Sequence, residues 1–474
     1  MKESMERRCK QVVERGKDFF HDRIHLTTTQ MIIFGFLVGI FIGTILLMLP
    51  ISSADGQWTS GLDALFTATT SICVTGLTTV STFEHWSFFG KIVIIFLIQF
   101  GGLGVVTFTT TILLVLRKRI TLKERLLIQD AYNLDTLRGL VKLTKKIMKG
   151  TFLIEGIGAI MYAVVFVPEF GVRGIGIAIF NSVSAFCNAG MDVIGNASLA
   201  PYRDNIIINV VTMSLIILGG IGFPVWWDIV RLVRERIQKK MSMTQLWRKV
   251  ELHTKIVLSM TIILIVAGTV LIMLLEHDNP ATLGNLSWGQ KWLASLFQSV
   301  TTRTAGFLTI PQENFTDASS FVCIILMFIG GSPSGTAGGI KTVTIAVIIL
   351  SVFSSVKGKQ DVEVFKRKVT DSFVRKSIAV FGISFLVLLT ATIALAVVEE
   401  LPFMDILYEA TSAIGTVGLS RSITPRLSSI GKLIIIVSMY LGRIGPISLA
   451  LAFNTHKKEK TNARRLPTDK ILVG

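Results

Sequence analysis

The sequence predicts an all-α membrane protein made of four parallel repeats. Each repeat is a long helix, a half-length helix and a second long helix, giving eight transmembrane helices and four half helices. Three observations predict this. Mean hydropathy is +0.63 and 51% of the 474 residues are hydrophobic, and the apolar residues gather into stretches of about 20, the length an α-helix needs to cross a hydrocarbon core of about 30 Å. Lys and Arg crowd into 1–25, 117–149, 231–255, 357–376 and 457–470, whereas connections such as 51–87 are nearly free of them. Short glycine-bearing pieces recur at Gly76, Gly190, Gly306 and Gly418, spaced 114, 116 and 112 residues apart, so one unit of about 114 residues is repeated four times.

The net charge of +17 would suit a nucleic-acid binder if it were gathered in one patch. It alternates between connections instead. Basic loops on one side and non-basic loops on the other are the positive-inside signature, so both termini are expected in the cytoplasm, with some affinity for an anionic lipid bilayer and none for nucleic acid. Cys9, Cys73, Cys187 and Cys323 show neither paired nor metal-ligand spacing. The first apolar run, 27–49, carries no small-residue cleavage site and reads as a retained helix.

In chain order, 1–26 is a basic cytoplasmic segment expected to lie along the inner surface. Repeat 1 covers 27–116, with a half helix at 61–72 and a return at 87–116. A basic connection, 117–149, leads to repeat 2 at 150–230, whose half helix is 174–186 and whose return is 205–230. The basic loop 231–253 precedes repeat 3 at 254–351, with a half helix at 288–300. Its return is interrupted by the ten residues from Gly330 to Gly339, which hold five glycines and a proline and cannot stay a regular helix. The basic loop 352–376 precedes repeat 4 at 377–453, with a half helix at 402–413. The tail 454–474 is again cytoplasmic.

Each half helix runs into a glycine piece: Val74-Thr75-Gly76, Asn188-Ala189-Gly190, Thr304-Ala305-Gly306 and Thr416-Val417-Gly418. Non-helical backbone at membrane depth is tolerated where protein buries it or where it lines a watery path. Four such loops about a pseudo-fourfold axis would present rings of carbonyl oxygens that replace the water shell of an ion. Glycine permits the backbone angles this requires. The half-helix C-termini, partly negative, would favour a cation.

A second register follows about 25 to 30 residues beyond each piece: Gly101-Gly102-Leu103-Gly104, Gly219-Gly220-Ile221-Gly222, Gly330-Gly331-Ser332-Pro333 and Gly442-Arg443-Ile444-Gly445. Glycines here are expected chiefly to let helices approach closely. Arg443 stands where three units carry glycine, about 15 residues and so about 22 Å along its helix, a depth at which a charge faces a partner or a water-filled path. It is expected to act as a fixed positive charge that helps gate the path. Gly331, Ser332, Pro333, Ser334, Gly335, Thr336, Ala337, Gly338 and Gly339 are expected to face the same cavity as a flexible plug.

On these residues the chain resembles the membrane subunit of the Trk/Ktr/HKT superfamily of potassium transporters, closest to the bacterial Ktr type, over essentially its whole length. The resemblance implies a homodimer in the plasma membrane with one pore per subunit. It also implies a cytoplasmic nucleotide-binding regulatory ring that binds ATP or ADP and opens the gate, so that nucleotide acts only through a partner. In that family the filter glycines serve selectivity, and members with serine at the first of them tend to admit sodium. Glycine at all four favours K+ as the permeating ion, with dependence on Na+ left open. The gate residues carry over onto Gly331–Gly339 and Arg443, although this loop is richer in glycine and proline than the Ala/Ser-rich loop of some Ktr subunits.

Other chemistry finds little support. Gly338-Gly339-Ile340-Lys341-Thr342 lacks the glycine-lysine adjacency of a phosphate-binding loop. Ser71, Thr75, Thr304 and Thr416 have no recurring base to activate them as nucleophiles, so no enzyme is expected. His21 and His25 lack a metal-binding partner set, and no metal is expected beyond the permeating ion. Glu155 and Asp228 are read as solvated charges at cytoplasmic helix ends. Asp192 is read either as an attractor of cations or as a plain surface carboxylate. A sodium-coupled carrier of an organic substrate would show inverted or paired repeats rather than four parallel ones.

Overall fold

The computed structural model describes residues 28–104, 107, 110, 140–240, 242–359 and 361–445. The first unit comprises α1 (Thr28–Met48), the short α2 (Gly61–Cys73) and α3 (Phe88–Leu103). The second comprises α4 (Leu140–Phe170), the short α5 (Arg173–Cys187), α6 (Ile206–Gly220) and α7 (Phe223–Lys239), followed by α8 (Met243–Lys249). The third comprises α9 (Leu252–Glu276), the short α10 (Trp288–Thr301), α11 (Asp317–Phe328) and α12 (Thr342–Val356). A hairpin of β1 (Val362–Val364) and β2 (Arg367–Val369) leads to the fourth, α13 (Asp371–Val398), the short α14 (Phe403–Gly415) and α15 (Ser429–Ile444). The segment expected over 1–26 and the tail 454–474 lie outside the described residues.

Among the described residues, α1, α4, α9 and α13 are long and apolar enough to cross a membrane. Phe41, Ile160, Leu274 and Val397 stand exposed on them, as side chains that face lipid would. The short helices are the reverse. Every residue from Ala410 to Gly415 in α14, and from Phe66 to Cys73 in α2, is buried, so these elements lie inside the bundle.

The four return helices begin with one device. Ser87 Oγ accepts from Gly90 N at 3.1 Å, Asn205 Oδ1 from Ile208 N at 3.2 Å, Thr316 Oγ1 from Ser319 N at 3.2 Å and Ser428 Oγ from Gly431 N at 3.1 Å. Each satisfies a backbone donor that the first helical turn leaves free.

The returns do not continue as unbroken spans. The helix expected over 205–230 is two, α6 and α7, bent by 101°. Gly222 between them has φ +91 and Pro224 opens α7. Likewise α3 stops at Gly104 with φ +81 and α15 at Gly445 with φ +86. A right-handed helix cannot pass through a residue in that region. Sequence reasoning expected a break only in the third unit, because it looked for proline and glycine clusters rather than for one glycine at a recurring position. Most of the continuation expected to residue 116, and all of that from 446 to 453, falls outside the described residues.

Candidate functional site

The four glycine pieces share one backbone conformation. Val74, Asn188, Thr304 and Thr416 are left-handed, with φ of 56, 61, 68 and 50°, and two residues later Gly76, Gly190, Gly306 and Gly418 have φ of 101, 64, 83 and 92°. Valine and threonine pay for this region, and such strain persists where the surroundings over-determine it. Those surroundings are visible. Thr75 N donates to Thr70 O, Ala189 N to Ser184 O and Val417 N to Ser412 O, each at 2.8 Å, while Ala305 N donates to Thr301 O at 2.9 Å. Thr70 Oγ1 accepts from Gly76 N and Ser412 Oγ from Gly418 N, whereas Ser184 Oγ and Thr301 Oγ1 donate to the carbonyls of Met191 and Phe307. These four hydroxyls were missed. The signal for them was a Ser or Thr six residues before three of the glycines and five before the other, Gly306.

With the amides turned back onto the half helices, the carbonyls face elsewhere. A Cβ placed on Gly76 would stand 2.5 Å from Ala189 O, one on Gly190 2.6 Å from Ala305 O, and one on Gly306 2.6 Å from Val417 O; one on Gly418 would press closer still on Thr75 O. The relation closes after four steps. The four glycines and the four carbonyls before them are thus brought together in one ring, at the partly negative ends of α2, α5, α10 and α14. None of these carbonyls accepts a hydrogen bond within the described residues. The hydroxyls of Thr75, Thr304 and Thr416 are also buried without a protein partner. Orphaned buried oxygens call for an ion or water.

A second layer packs against the ring. A Cβ on Gly101 would collide with Ile72 O, on Gly219 with Phe186 O and on Gly442 with Ile414 O, each carbonyl lying four residues before a ring glycine. The packing reading of these glycines holds. Arg443, in the last turn of α15, donates to Gly101 O, to Gly102 O at 3.5 Å and to Thr336 O at 2.6 Å, so its charge rests on carbonyls at the C-terminus of α3 and on the interrupted loop. The loop is tied to the second unit through Ser332 N to Gly220 O at 2.9 Å, Thr336 N to Gly219 O at 3.1 Å and Phe223 N to Ser334 O at 3.1 Å. Gly338 lies so close to Thr416 Oγ1 that no Cβ would fit. Lys341, which sequence reasoning used only to dismiss a phosphate loop, donates to Ala337 O at 2.8 Å and borders a cavity of about 240 Å³ together with Gly339, Gly415 and Arg443.

The two carboxylates read as solvated are not. Glu155 is only 4% exposed; it accepts from Gln99 Nε2 at 3.3 Å and stands 3.9 Å from Cys187 Sγ, immediately behind the second ring piece. Asp228, equally buried, accepts from Arg231 at 2.5 Å and from Glu251 N at 3.1 Å and so ties α7 to the start of α9. The half-length helices and returns bring both inside, which a count of residues from the nearest basic loop could not reveal. Asp192 is buried as well and accepts from Ile194 N at 3.3 Å.

Long apolar helices enclosing half helices define a multi-pass membrane protein. The chain belongs to the TrkH family, cation transport protein, whose sequence profile matches residues 17–464. It is 36% identical to the potassium/sodium uptake protein NtpJ of Enterococcus hirae over 95% of this chain and 98% of that protein. It is 38% identical to the Ktr system potassium uptake protein B of Bacillus subtilis over the same shares, and 37% identical to the protein of that name from Vibrio alginolyticus over 94% of each. Its fold matches the crystal structure of the potassium transporter TrkH from Vibrio parahaemolyticus with a TM-score of 0.69 at 16% identity, over 92% of this chain and 86% of that one. These are transport proteins, not enzymes.

Proposed function

We propose that this chain is the ion-conducting subunit of a potassium uptake system in the plasma membrane. The observation that carries the reading is the closed cycle in which each ring glycine faces the carbonyl of the next unit. Potassium sheds its water onto the oxygens of Val74, Thr75, Gly76, Asn188, Ala189, Gly190, Thr304, Ala305, Gly306, Thr416, Val417 and Gly418, then meets the loop Gly331–Gly339 and Arg443, which hold the path shut. Both termini face the cytoplasm, as the basic loops require. There a nucleotide-binding regulatory subunit, responding to ATP or ADP, releases the gate of a homodimer. Relatives named for potassium uptake, and glycine at all four ring positions, support potassium as the ion.

The test is potassium and sodium flux through the purified protein in liposomes, with and without a sodium gradient. Potassium flux down its own gradient, exceeding sodium flux and indifferent to the sodium gradient, is expected once the gate is released. Equal passage of both ions would overturn the filter assignment. Potassium movement that follows the sodium gradient would replace simple permeation with coupling.

A further inference from the structure

A second cavity, about 420 Å³, lies between the start of α9, the body of α12, the β-hairpin and the start of α13. It falls within the size range of small-molecule sites. Its walls are largely apolar: Ile256, Val343, Val347, Val369, Phe373 and Val380. Its polar lining is three lysines, one histidine and three hydroxyl groups. Lys341, Lys368, Lys376 and His253 border it, and no carboxylate does.

The charge of these groups is unevenly spent. Lys368 stands 2.5 Å from Asp361 and is neutralised there. Lys341 donates only to the neutral carbonyls of Ala337 and Gly338, and Lys376 has no ion-pair partner among the described residues. His253 Nε2 is buried without a partner. Two uncompensated ammonium groups and an orphaned ring nitrogen therefore border an apolar hollow whose own protein supplies no anion. Lys376 is exposed at the mouth, where water solvates it, but Lys341 is half-buried without an anionic partner and His253 Nε2 is buried without any; an unpaired charge out of water is costly, so the group that fits is an anion carrying hydrocarbon.

Place in the fold selects which one. The cavity opens where α9 and α13, two of the long apolar helices, begin, next to the basic stretches 231–255 and 357–376. Phe373 at the start of α13 lines it and is exposed, as is Phe365 at the hairpin turn, and exposed phenylalanines next to basic residues suit a surface that dips into a bilayer. We propose that this cavity binds one anionic phospholipid, its phosphate between Lys376, Lys341 and His253 and an acyl chain along Ile256, Val343, Val347 and Phe373. Pro333 also borders the cavity and Lys341 holds the loop carbonyls, so the bound lipid touches the segment assigned to the gate. The binding itself does not depend on that assignment.

The experiment is native mass spectrometry of the full-length protein titrated with phosphatidylglycerol and phosphatidylcholine of equal acyl length. One phosphatidylglycerol is expected to be retained in preference to phosphatidylcholine. Lys376→Gln is expected to weaken that retention about fivefold, the worth of one lysine near an anionic headgroup, while Lys239→Gln, at the C-terminal end of α7 and outside the cavity lining, leaves it unchanged. A thermal unfolding midpoint equal to that of the parent protein shows that Lys376→Gln is folded. Equal retention of the two lipids overturns the proposal, as does an equal loss in Lys239→Gln, which would make the attraction a general surface effect. Displacement of the lipid by millimolar glycerol phosphate, without its chains, would show a bare anion site and also overturn it. Ile256→Asn, which adds a polar group but no charge to repel the phosphate, separates the apolar half: lipid retention falls if the chain lies there, and retention at the parent level contradicts the proposal.

Discussion

Arg443 shows how one side chain joins three units. Its guanidinium, carried by the fourth unit, holds Gly101 and Gly102 of the first and Thr336 of the third, and a charged donor to a buried carbonyl is worth about 1.5–3 kcal/mol. Arg443→Ala removes these contacts, so the shut arrangement of the loop should lose about tenfold or more in population and flux should rise by a similar factor. Lower or unchanged flux at equal protein amount would refute the gate. The sequence made Arg443 conspicuous, because it interrupts a register of glycines. It gave no such cue for Glu155, whose importance depends on α3 and α5 folding over it. Glu155→Ala leaves Gln99 Nε2 unpaired, at a cost of about 1–3 kcal/mol, and the double variant with Gln99→Ala should lose less than the two singles together. Additive losses in unfolding free energy would mean that the pair does not interact.

At the scale of elements, the half helices were legible to within one or two residues, since each is an apolar run too short to span and each ends at a recurring glycine. Three of the four returns were not. Their apolar residues continue past Gly104, Gly222 and Gly445 in sequence, and hydropathy does not register a single residue with positive φ. Gly222 is the case with a consequence: its break lets Phe223 N reach Ser334 O, and a Cβ there would collide with Pro333 O. Gly222→Ala should cost about 1–3 kcal/mol of stability from backbone strain alone and should displace the loop, changing basal flux. If the thermal midpoint and the flux both match the parent protein, the bend is set by Pro224 and not by Gly222.

The whole molecule is a cycle, and a cycle makes a prediction that no single unit does. Gly76 faces Ala189 O, Gly190 faces Ala305 O, Gly306 faces Val417 O and Gly418 faces Thr75 O, so an added side chain at any glycine pushes on the carbonyl of the next unit. Four different residue pairs carry the same relation; equal spacing in the sequence marked the four glycines but not which carbonyl each would face, and the strained φ at Val74 and Thr416 had no cue, because neither residue favours it. Gly76→Ser should relax the preference for potassium over sodium, as should Gly190→Ser, Gly306→Ser and Gly418→Ser, most strongly at Gly418, where the approach to the facing carbonyl is closest. Once one contact has opened the ring, its neighbour has less geometry left to lose. The double variant of Gly76 and Gly418, which share a contact, should therefore fall short of the sum of its singles in the selectivity free energy. Selectivity ratios from liposome flux decide the matter: additive losses at adjacent glycines would mean four independent turns rather than one ring.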